Sequence, residues 1–191
     1  MKEAVEADKE AFRLFSEGKS VVPLRTNISA PKHDGAFLFM PSYVEEMDCS
    51  AIKIVNVFPK NIDKGLPSTP AQVLLIDGTT GVVVSVLDGT YVTQLRTGAA
   101  SGAAFDVLAR KDAKKGALIG TGGQAATQLL AFQSKGLVCD EGLPGSRVQR
   151  KLLERNDAHV APARRAAQDG LDAGVVTATA VVCAESVVAA A

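Results

Sequence analysis

A glycine-rich turn near the middle of the chain has the spacing G-x-G-x-x-A and could hold a phosphate group. It follows an apolar run at residues 115–119, which predicts a short strand, and precedes a predicted helix at residues 125–132. Glycines in such a unit allow a tight turn and let a pyrophosphate approach the N–H groups that begin the helix. The pattern therefore predicts dinucleotide binding, although a turn that only joins a strand to a helix is the alternative. The residues that would carry it are Gly120, Thr121, Gly122, Gly123, Gln124 and Ala125.

An acidic residue about 20 positions after the first glycine commonly binds the ribose hydroxyls in this kind of unit. Asp140 lies at that distance from Gly120, at the end of a short apolar run. We therefore expect Asp140 to be either a ribose-binding carboxylate or an ordinary loop aspartate.

The overall composition narrows the classes of function. The chain has 191 residues, 47% of them hydrophobic, with 21 basic and 21 acidic side chains. Balanced charge predicts no nucleic-acid or membrane-surface partner, and no apolar run reaches the roughly 18 residues of a membrane helix. The three cysteines are far apart and fit neither a metal site nor a disulfide framework. We expect a soluble, cytoplasmic protein without a metal.

The elements that must position the turn are predicted from hydrophobic periodicity. Residues 2–17 and 96–109 are predicted helices, and Gly98 and Gly102 in the second fit either close packing or a ligand contact. The Asp77–Gly81 segment between two Val-rich runs predicts a hairpin. Strands are predicted at residues 21–24, 36–40, 51–57, 73–77, 82–87 and 91–93, which favours a mostly antiparallel sheet.

These elements predict an α/β fold in two parts. Residues 1–110 would form a partly antiparallel domain, and residues 111–191 would form a Rossmann-type dinucleotide-binding domain. The periodicity fades after about residue 133. Beyond that point the weaker signals are strands at 137–140 and 175–182 and helices at 146–155 and 161–173.

A series of motifs upstream of the turn resembles the ornithine cyclodeaminase/mu-crystallin family. With the turn, the resemblance extends over about residues 2–132, and the order and spacing of the motifs are specific. The motifs are Phe-Met-Pro at 39–41, Lys-Ile-Val-Asn-Val-Phe-Pro-Lys-Asn at 53–61, Gly-Leu-Pro-Ser at 65–68, Leu-Ile-Asp-Gly-Thr-Thr-Gly at 75–81, Leu-Asp-Gly at 87–89 and Thr-Gln-Leu-Arg-Thr-Gly-Ala-Ala at 93–100.

The resemblance implies a two-domain enzyme that uses NAD, with NADP as the alternative. Its first domain would bind the substrate and form a homodimer, and its second would hold the cofactor. The implied reaction is the conversion of ornithine to proline and ammonia by an NAD-dependent lyase. The alternatives are an NAD(P)H-dependent ketimine or pyrroline-2-carboxylate reductase, and a non-catalytic binding protein like mu-crystallin. In each case the partner is a small amino acid or a cyclic imine.

The resemblance also implies roles for individual residues. Arg96 and Arg25 match arginines that bind the substrate carboxylate, which suits the planar fork of a guanidinium. Lys53 matches the active-site lysine, and a lysine in a predicted buried strand needs an anionic partner. Ser68, Arg96 and Thr97 match cofactor-binding positions. The alternatives are a surface ion pair for Arg96 and a sheet-edge position for Lys53.

The sequence departs from the family pattern in two respects. The family's catalytic aspartate lies in a later Gly-rich segment with no counterpart here, and both ends of the family pattern are missing. Residues after about 133 fit either a divergent, shortened Rossmann half or a shifted reading frame, and the fading periodicity favours the second. We predict that this chain alone does not release ammonia from ornithine.

Overall fold

The computed structural model describes residues 1–118 and 122–139. The predictions for Gly120, Thr121 and Asp140, and for every element after residue 140, lie outside these residues. The helices and strands are, in chain order, α1 (Lys2–Ser16), β1 (Ser20–Val21), β2 (Thr26–Ala30), β3 (Gly35–Val44), β4 (Cys49–Val57), β5 (Ala71–Asp77), β6 (Val83–Asp88), α2 (Gly89–Leu108), β7 (Lys115–Gly116), α3 (Ala125–Ser134) and β8 (Val138–Cys139).

The first helix buries the apolar stripe that its periodicity predicts. Val5 and Leu14 are fully covered, and the helix ends at Ser16, one residue before the predicted end. Gly18 follows with φ of 71°, and Lys19 N–H donates to the Leu14 carbonyl at 2.9 Å, as in a Schellman ending. Asp8 lies on the same stripe, four residues after Ala4, and is completely buried.

Six strands form one antiparallel sheet, as the spacing of strands and turns predicts. The strand order is β1-β3-β4-β5-β6, and β2 pairs with a second part of β3. The predicted hairpin joins β5 to β6, where Asp77 Oδ1 accepts hydrogen bonds from the hydroxyl and N–H groups of Thr79 and Thr80. These bonds, the Thr79 hydroxyl first, lower the pKa of Asp77 to about 2.

One face of this sheet packs under the helices, whereas no helix of residues 1–118 and 122–139 packs on the other. The first, called the inner face, contacts α2 through β4 and β5 and contacts α1 through Val44. Because side chains alternate along a strand, the inner face is read directly from the burial pattern. It consists of Met40, Ser42, Val44, Cys49, Ala51, Lys53, Ala71, Val73 and Leu75.

The predicted strand at residues 91–93 is wrong, because these residues belong to α2. Asp88 caps the helix by accepting hydrogen bonds from Thr90 N–H at 2.9 Å and Tyr91 N–H at 3.4 Å. The run Tyr91–Thr93 has strand propensity, but the cap and the packing of α2 override it. The helix thus starts seven residues before the predicted 96, since α2 begins at Gly89.

Two glycines of α2 permit close helix packing. A Cβ at Gly98 would lie 2.6 Å from the Thr127 carbonyl oxygen of α3, and one at Gly102 would lie 2.6 Å from Val5 Cγ2 of α1. Both positions are buried, so their role is packing, one of the two alternatives that the sequence leaves open.

The segment after α2 begins a second, parallel arrangement. Strands β7 and β8 pair in parallel, Lys115 with Val138 and Gly116 with Cys139, and α3 connects them. A strand–helix–strand crossover of this kind is the building unit of a Rossmann fold. The fold is therefore α/β, an antiparallel-sheet domain followed by the start of a Rossmann-type unit.

Candidate functional site

Lys53 occupies the centre of the inner face. It lies on β4 between Met40 of β3 and Val73 of β5, and only 2% of it is exposed. The predicted buried-strand position is therefore observed, and the sheet-edge alternative is not. A buried ammonium among aliphatic side chains must be matched by negative charge or by hydrogen-bond acceptors.

Helix α2 adds two polar atoms that are shielded from solvent. Arg96 Nε and Thr93 Oγ1 are buried and have no hydrogen-bond partner among the described residues. The two residues are three positions apart on α2 and therefore share one side of the helix. Buried donors without acceptors are rare in folded proteins, and a bound anion would satisfy them. The geometry does not favour a surface ion pair for Arg96.

The glycine-rich turn leads into α3 beside α2. A Cβ at Gly122 would meet no atom of the described residues within 4 Å, and one at Gly123 would lie 3.5 Å from Gln94 Nε2 of α2. The first N–H groups of a helix have no partner within the helix, so the start of α3 at Ala125 offers donors to an anion. The open space at Gly122 and these donors fit a phosphate-bearing cofactor.

Helices α2 and α3 are joined by polar contacts next to this turn. The Thr97 carbonyl accepts a hydrogen bond from Gln128 Nε2 at 3.3 Å, and the Thr97 hydroxyl donates to the Thr93 carbonyl at 2.7 Å. These contacts place Thr97 against α3 and Gln94 beside Gly123 of the turn. Arg96 lies on the same helix, between Gln94 and Thr97.

The remaining predicted site residues lie further out. Arg25 is exposed and directly precedes Thr26, which pairs with Phe39, whereas Lys53 pairs with Met40. Their Cα atoms are thus about two strand spacings apart, roughly 10 Å. Ser68 lies in the loop before β5, and its carbonyl accepts a hydrogen bond from Phe58 N–H at 2.8 Å. No contact links either residue to Arg96 in the described part of the chain.

A carboxylate ties the three helices together near the site. Asp106 of α2 pairs with Lys135, which follows α3, and with Lys9 of α1, and these two ammonium groups lower the pKa of Asp106. On the inner face, burial raises the pKa of the Cys49 thiol. The first effect fixes the helices relative to one another, and the second keeps Cys49 protonated at neutral pH.

Sequence reasoning missed several polar residues of this region. Thr93 and Gln94 belong to the motif that contains Arg96, but no feature of the sequence indicated a role for either residue. Asp8 could have been found, because its spacing from Ala4 and Ala11 places it on the buried stripe of α1. Gln128 carried no signal, since its contact with Thr97 depends on helix packing.

Other kinds of site find less support in the described residues. A cleft of about 480 Å³ between Phe58 and the lysines Lys32, Lys60 and Lys64 contains none of the predicted site residues. No group of three or more His, Cys, Asp or Glu side chains in residues 1–118 and 122–139 could hold a metal ion. No helix within those ranges is long and apolar enough to cross a membrane.

Comparison with known proteins identifies the family. A sequence model described as the ornithine cyclodeaminase/mu-crystallin family matches residues 1–185. The chain belongs to this family. The match continues well past the residues 2–132 over which the motifs resemble it.

Three similar proteins have defined names. Alanine dehydrogenase of Archaeoglobus fulgidus is 42% identical over 133 residues, which are 70% of this chain and 40% of that protein. The structure of Thermococcus litoralis Δ1-pyrroline-2-carboxylate reductase with NADH and L-proline has a TM-score of 0.70 and 41% identity, covering 84% of this chain and 50% of that one. An archaeal alanine dehydrogenase dimer with bound NAD has a TM-score of 0.69 and 35% identity, covering 83% and 49%. The chain thus spans about half or less of the length of these relatives.

These relatives favour the reductase hypothesis over the cyclodeaminase hypothesis. They are a reductase and dehydrogenases, and two of them are described with NADH or NAD bound. The reductase alternative therefore fits better than the ornithine cyclodeaminase that the motifs first suggested, and the lyase assignment is not supported.

Proposed function

We propose that this chain belongs to an NAD(P)H-dependent reductase whose substrate is a cyclic α-imino acid such as Δ1-pyrroline-2-carboxylate. The observation that carries the proposal is the pair of buried, unpartnered polar atoms on α2, Arg96 Nε and Thr93 Oγ1. Lys53 lies on the inner face of the sheet against which α2 packs, and in this proposal its ammonium and the two α2 atoms belong to one cationic binding region. A small carboxylate is the ligand that such a region fits.

Each basic residue has a distinct part in this proposal. Arg96 binds the substrate carboxylate through its guanidinium and satisfies its buried Nε. Lys53 adds positive charge from the sheet side and orients the ring of the substrate. Arg25, exposed at the end of the sheet, guides the carboxylate during entry, since long-range attraction acts before contact.

The turn and the start of α3 would hold the cofactor. Gly122 leaves space, Gly123 and Gln124 present the backbone, and Ala125 begins the helix whose N–H groups face a phosphate. Ser68 and Thr97 would contact the same molecule, as would Gly120 and Thr121. NAD(P)H bound there would supply a hydride to the carbon of the C=N bond, and a proton from solvent would go to the nitrogen, which converts the imine to a secondary amine.

A second candidate reaction is the reductive amination of a 2-oxo acid. The alanine dehydrogenase of A. fulgidus is 42% identical to this chain, and its product also carries an α-carboxylate next to the reduced carbon. The same Arg96 would bind either substrate, so the inner face does not distinguish a ring from an open chain.

The test compares three substrates on the purified chain and measures ligand binding. We expect NADH oxidation with Δ1-pyrroline-2-carboxylate, less with pyruvate plus ammonia, and no ammonia release from ornithine. Because the chain spans only part of its relatives, thermal stabilisation by NADH with L-proline is measured in parallel. Ammonia release from ornithine would refute the reductase assignment. Stabilisation without any turnover would support a non-catalytic binding protein.

We also propose that two copies of the chain associate through the side of the sheet that no described helix covers. This side, called the outer face, carries large apolar side chains at alternate positions of five strands. They are Ile28, Phe37, Phe39, Tyr43, Ile52, Ile54, Leu74, Ile76 and Val86. An apolar surface of this extent marks an interface in a soluble protein, and a related alanine dehydrogenase is described as a dimer.

A further inference from the structure

Two charged side chains are buried in the described part of the chain, and they have opposite signs. Asp8 of α1 is 0% exposed and Lys53 of β4 is 2% exposed. Every other acidic or basic side chain within residues 1–118 and 122–139 retains contact with solvent. An isolated buried charge is strongly unfavourable, so a fold that buries one carboxylate and one ammonium is expected to pair them.

The packing places both groups in the same layer, between the helices and the sheet. Asp8 lies on α1 among Val5, Ala7 and Ala11, which belong to the core cluster that includes Val44 of β3. Val44 and Ser42 are successive residues of the inner face. Ser42 in turn is the diagonal neighbour of Lys53, because Met40 pairs directly with Lys53.

The buried polar residues of this layer have interaction partners. Asp8, Ser42 and Lys53 each take part in a non-covalent interaction. Ser42 is itself 3% exposed, so a buried hydroxyl lies on the inner face at the position diagonally opposite Lys53. The surrounding side chains of β3 and β5, Met40 and Val73, are apolar and cannot balance a charge.

We infer that Asp8 is the buried counterion of Lys53 and acts as a positioning residue for the substrate site. The carboxylate holds the ammonium protonated and fixed on the inner face before any substrate arrives. The role of Lys53 toward substrate rests on the proposed function, whereas the ion pair does not, and the two can fail separately.

Other charged groups near this layer must be distinguished from the pair. Arg96 approaches from α2, and the Cys49 thiol lies on the same strand and face as Lys53. Asp106 of α2 is already bound by Lys135 and Lys9. All five of these groups are present in every variant described below, so their titration contributes equally to the pH dependence of each variant.

The test uses Asp8→Asn, Lys53→Met and the double variant in the full chain, each unfolded thermally between pH 5 and 8. Each single change leaves one buried charge alone, and we expect it to lower the Tm by about 10 °C. The double variant removes both charges and is expected to recover most of that loss. The control Glu10→Gln alters an exposed carboxylate of the same helix and is expected to shift the Tm by no more than about 2 °C.

The pH dependence separates a charge pair from simple packing loss. In Lys53→Met the lone buried Asp8 has a raised pKa in the folded state, so stability falls as pH rises. In Asp8→Asn the lone Lys53 has a lowered pKa, so stability rises with pH. In the double variant, the difference in stability from the parent is expected not to change with pH. If both single variants fail to fold, folding of the double variant alone supports the pair.

Two results would overturn the inference. One is a double variant as unstable as the sum of the single variants, and the other is single variants whose pH slopes equal that of the parent. Where the chain reduces an imine, kcat/KM of Asp8→Asn is also measured against pH. In that pH profile, the change in kcat/KM caused by loss of the Lys53 proton is expected at lower pH than in the parent. Absence of turnover in every variant counts against the proposed function and leaves the thermal result decisive for the pair.

Discussion

Arg96 is the residue whose buried hydrogen-bond donor most clearly calls for a ligand. Its Nε is buried and has no acceptor in the described part of the chain, although a guanidinium carries five donors and normally satisfies them. The change Arg96→Lys keeps the positive charge but removes the planar fork. We expect affinity for L-proline in the presence of NADH to fall by roughly tenfold to a hundredfold, because charge-assisted bidentate bonds are lost. Titration calorimetry measures the change.

The matched control is Arg110→Lys. Arg110 is exposed and pairs with Asp112 two residues away, so a lysine there retains a surface contact of little energetic weight. L-Proline affinity is expected to stay within about twofold of the parent. Equal loss in both variants, or none in Arg96→Lys, would remove Arg96 from the binding site.

Residue positions in the site were predictable where a motif or a burial pattern marks them. Lys53 was expected in a buried strand and lies there, because a strand flanked by aliphatic residues fixes its face. Asp8 was not expected. The spacing of α1 shows that it is buried, but the presence of an ammonium in the same layer follows only from how α1 packs on the sheet.

Among the elements, the hairpin between β5 and β6 has a pH dependence that follows from Asp77. Hydrogen bonds hold its pKa at about 2 in the folded protein, below the roughly 3.9 of an unfolded chain. A depressed pKa contributes stability above pH 4 that disappears as pH falls toward 2. In Asp77→Asn we expect a lower Tm than the parent at pH 7 and a narrowing difference toward pH 2.

Thermal unfolding at a series of pH values measures this difference. The exposed Asp63, in the short helix Pro59–Lys64, provides the control Asp63→Asn. A constant difference in Tm between Asp77→Asn and the parent across the whole pH range would show that the charge of Asp77 does not stabilise the turn.

The contact between α2 and α3 is tested by the same substitution at two glycines of one helix. Alanine gains about 1 kcal/mol of helix propensity at either position. At Gly98 its Cβ would meet the backbone of Thr127, which cannot move without displacing α3, whereas at Gly102 it would meet the end of the Val5 side chain. We expect Gly98→Ala to lose about 2 kcal/mol and Gly102→Ala to be near neutral. Urea unfolding compares the two, and equal stabilities would contradict the packing role of Gly98.

Element prediction failed where local propensity and tertiary context disagree. Strand β2 was missed because its sequence Thr-Asn-Ile-Ser-Ala is mostly polar and exposed, and β3 is its one partner among the described strands. The start of α2 was misplaced because Tyr91–Thr93 favours a strand. Strand β2 depends on its pairing with β3, and the start of α2 depends on the Asp88 cap and on helix packing. Both interactions depend on the folded structure, and local propensity does not indicate them.

At the scale of the molecule, the two faces of the sheet differ in what covers them. The inner face is covered by α1 and α2, and it contains the buried Lys53. The outer face is apolar and is not covered by any described helix, and Val86 is 64% exposed at its β6 side. Periodicity alone could predict that both faces are apolar, but not which of them the helices of the same chain would cover.

If a second copy covers the outer face, a charge placed on it will separate the copies. We expect the parent chain to be dimeric and Val86→Lys to be monomeric, because an ammonium buried at an apolar interface has no partner. The control Val107→Lys makes the same change on α2, at a residue that is 74% exposed and outside the outer face. Light scattering after gel filtration gives the mass of each. A monomeric parent chain, or a Val86→Lys variant that remains dimeric, would mean that the outer face is not where two copies meet.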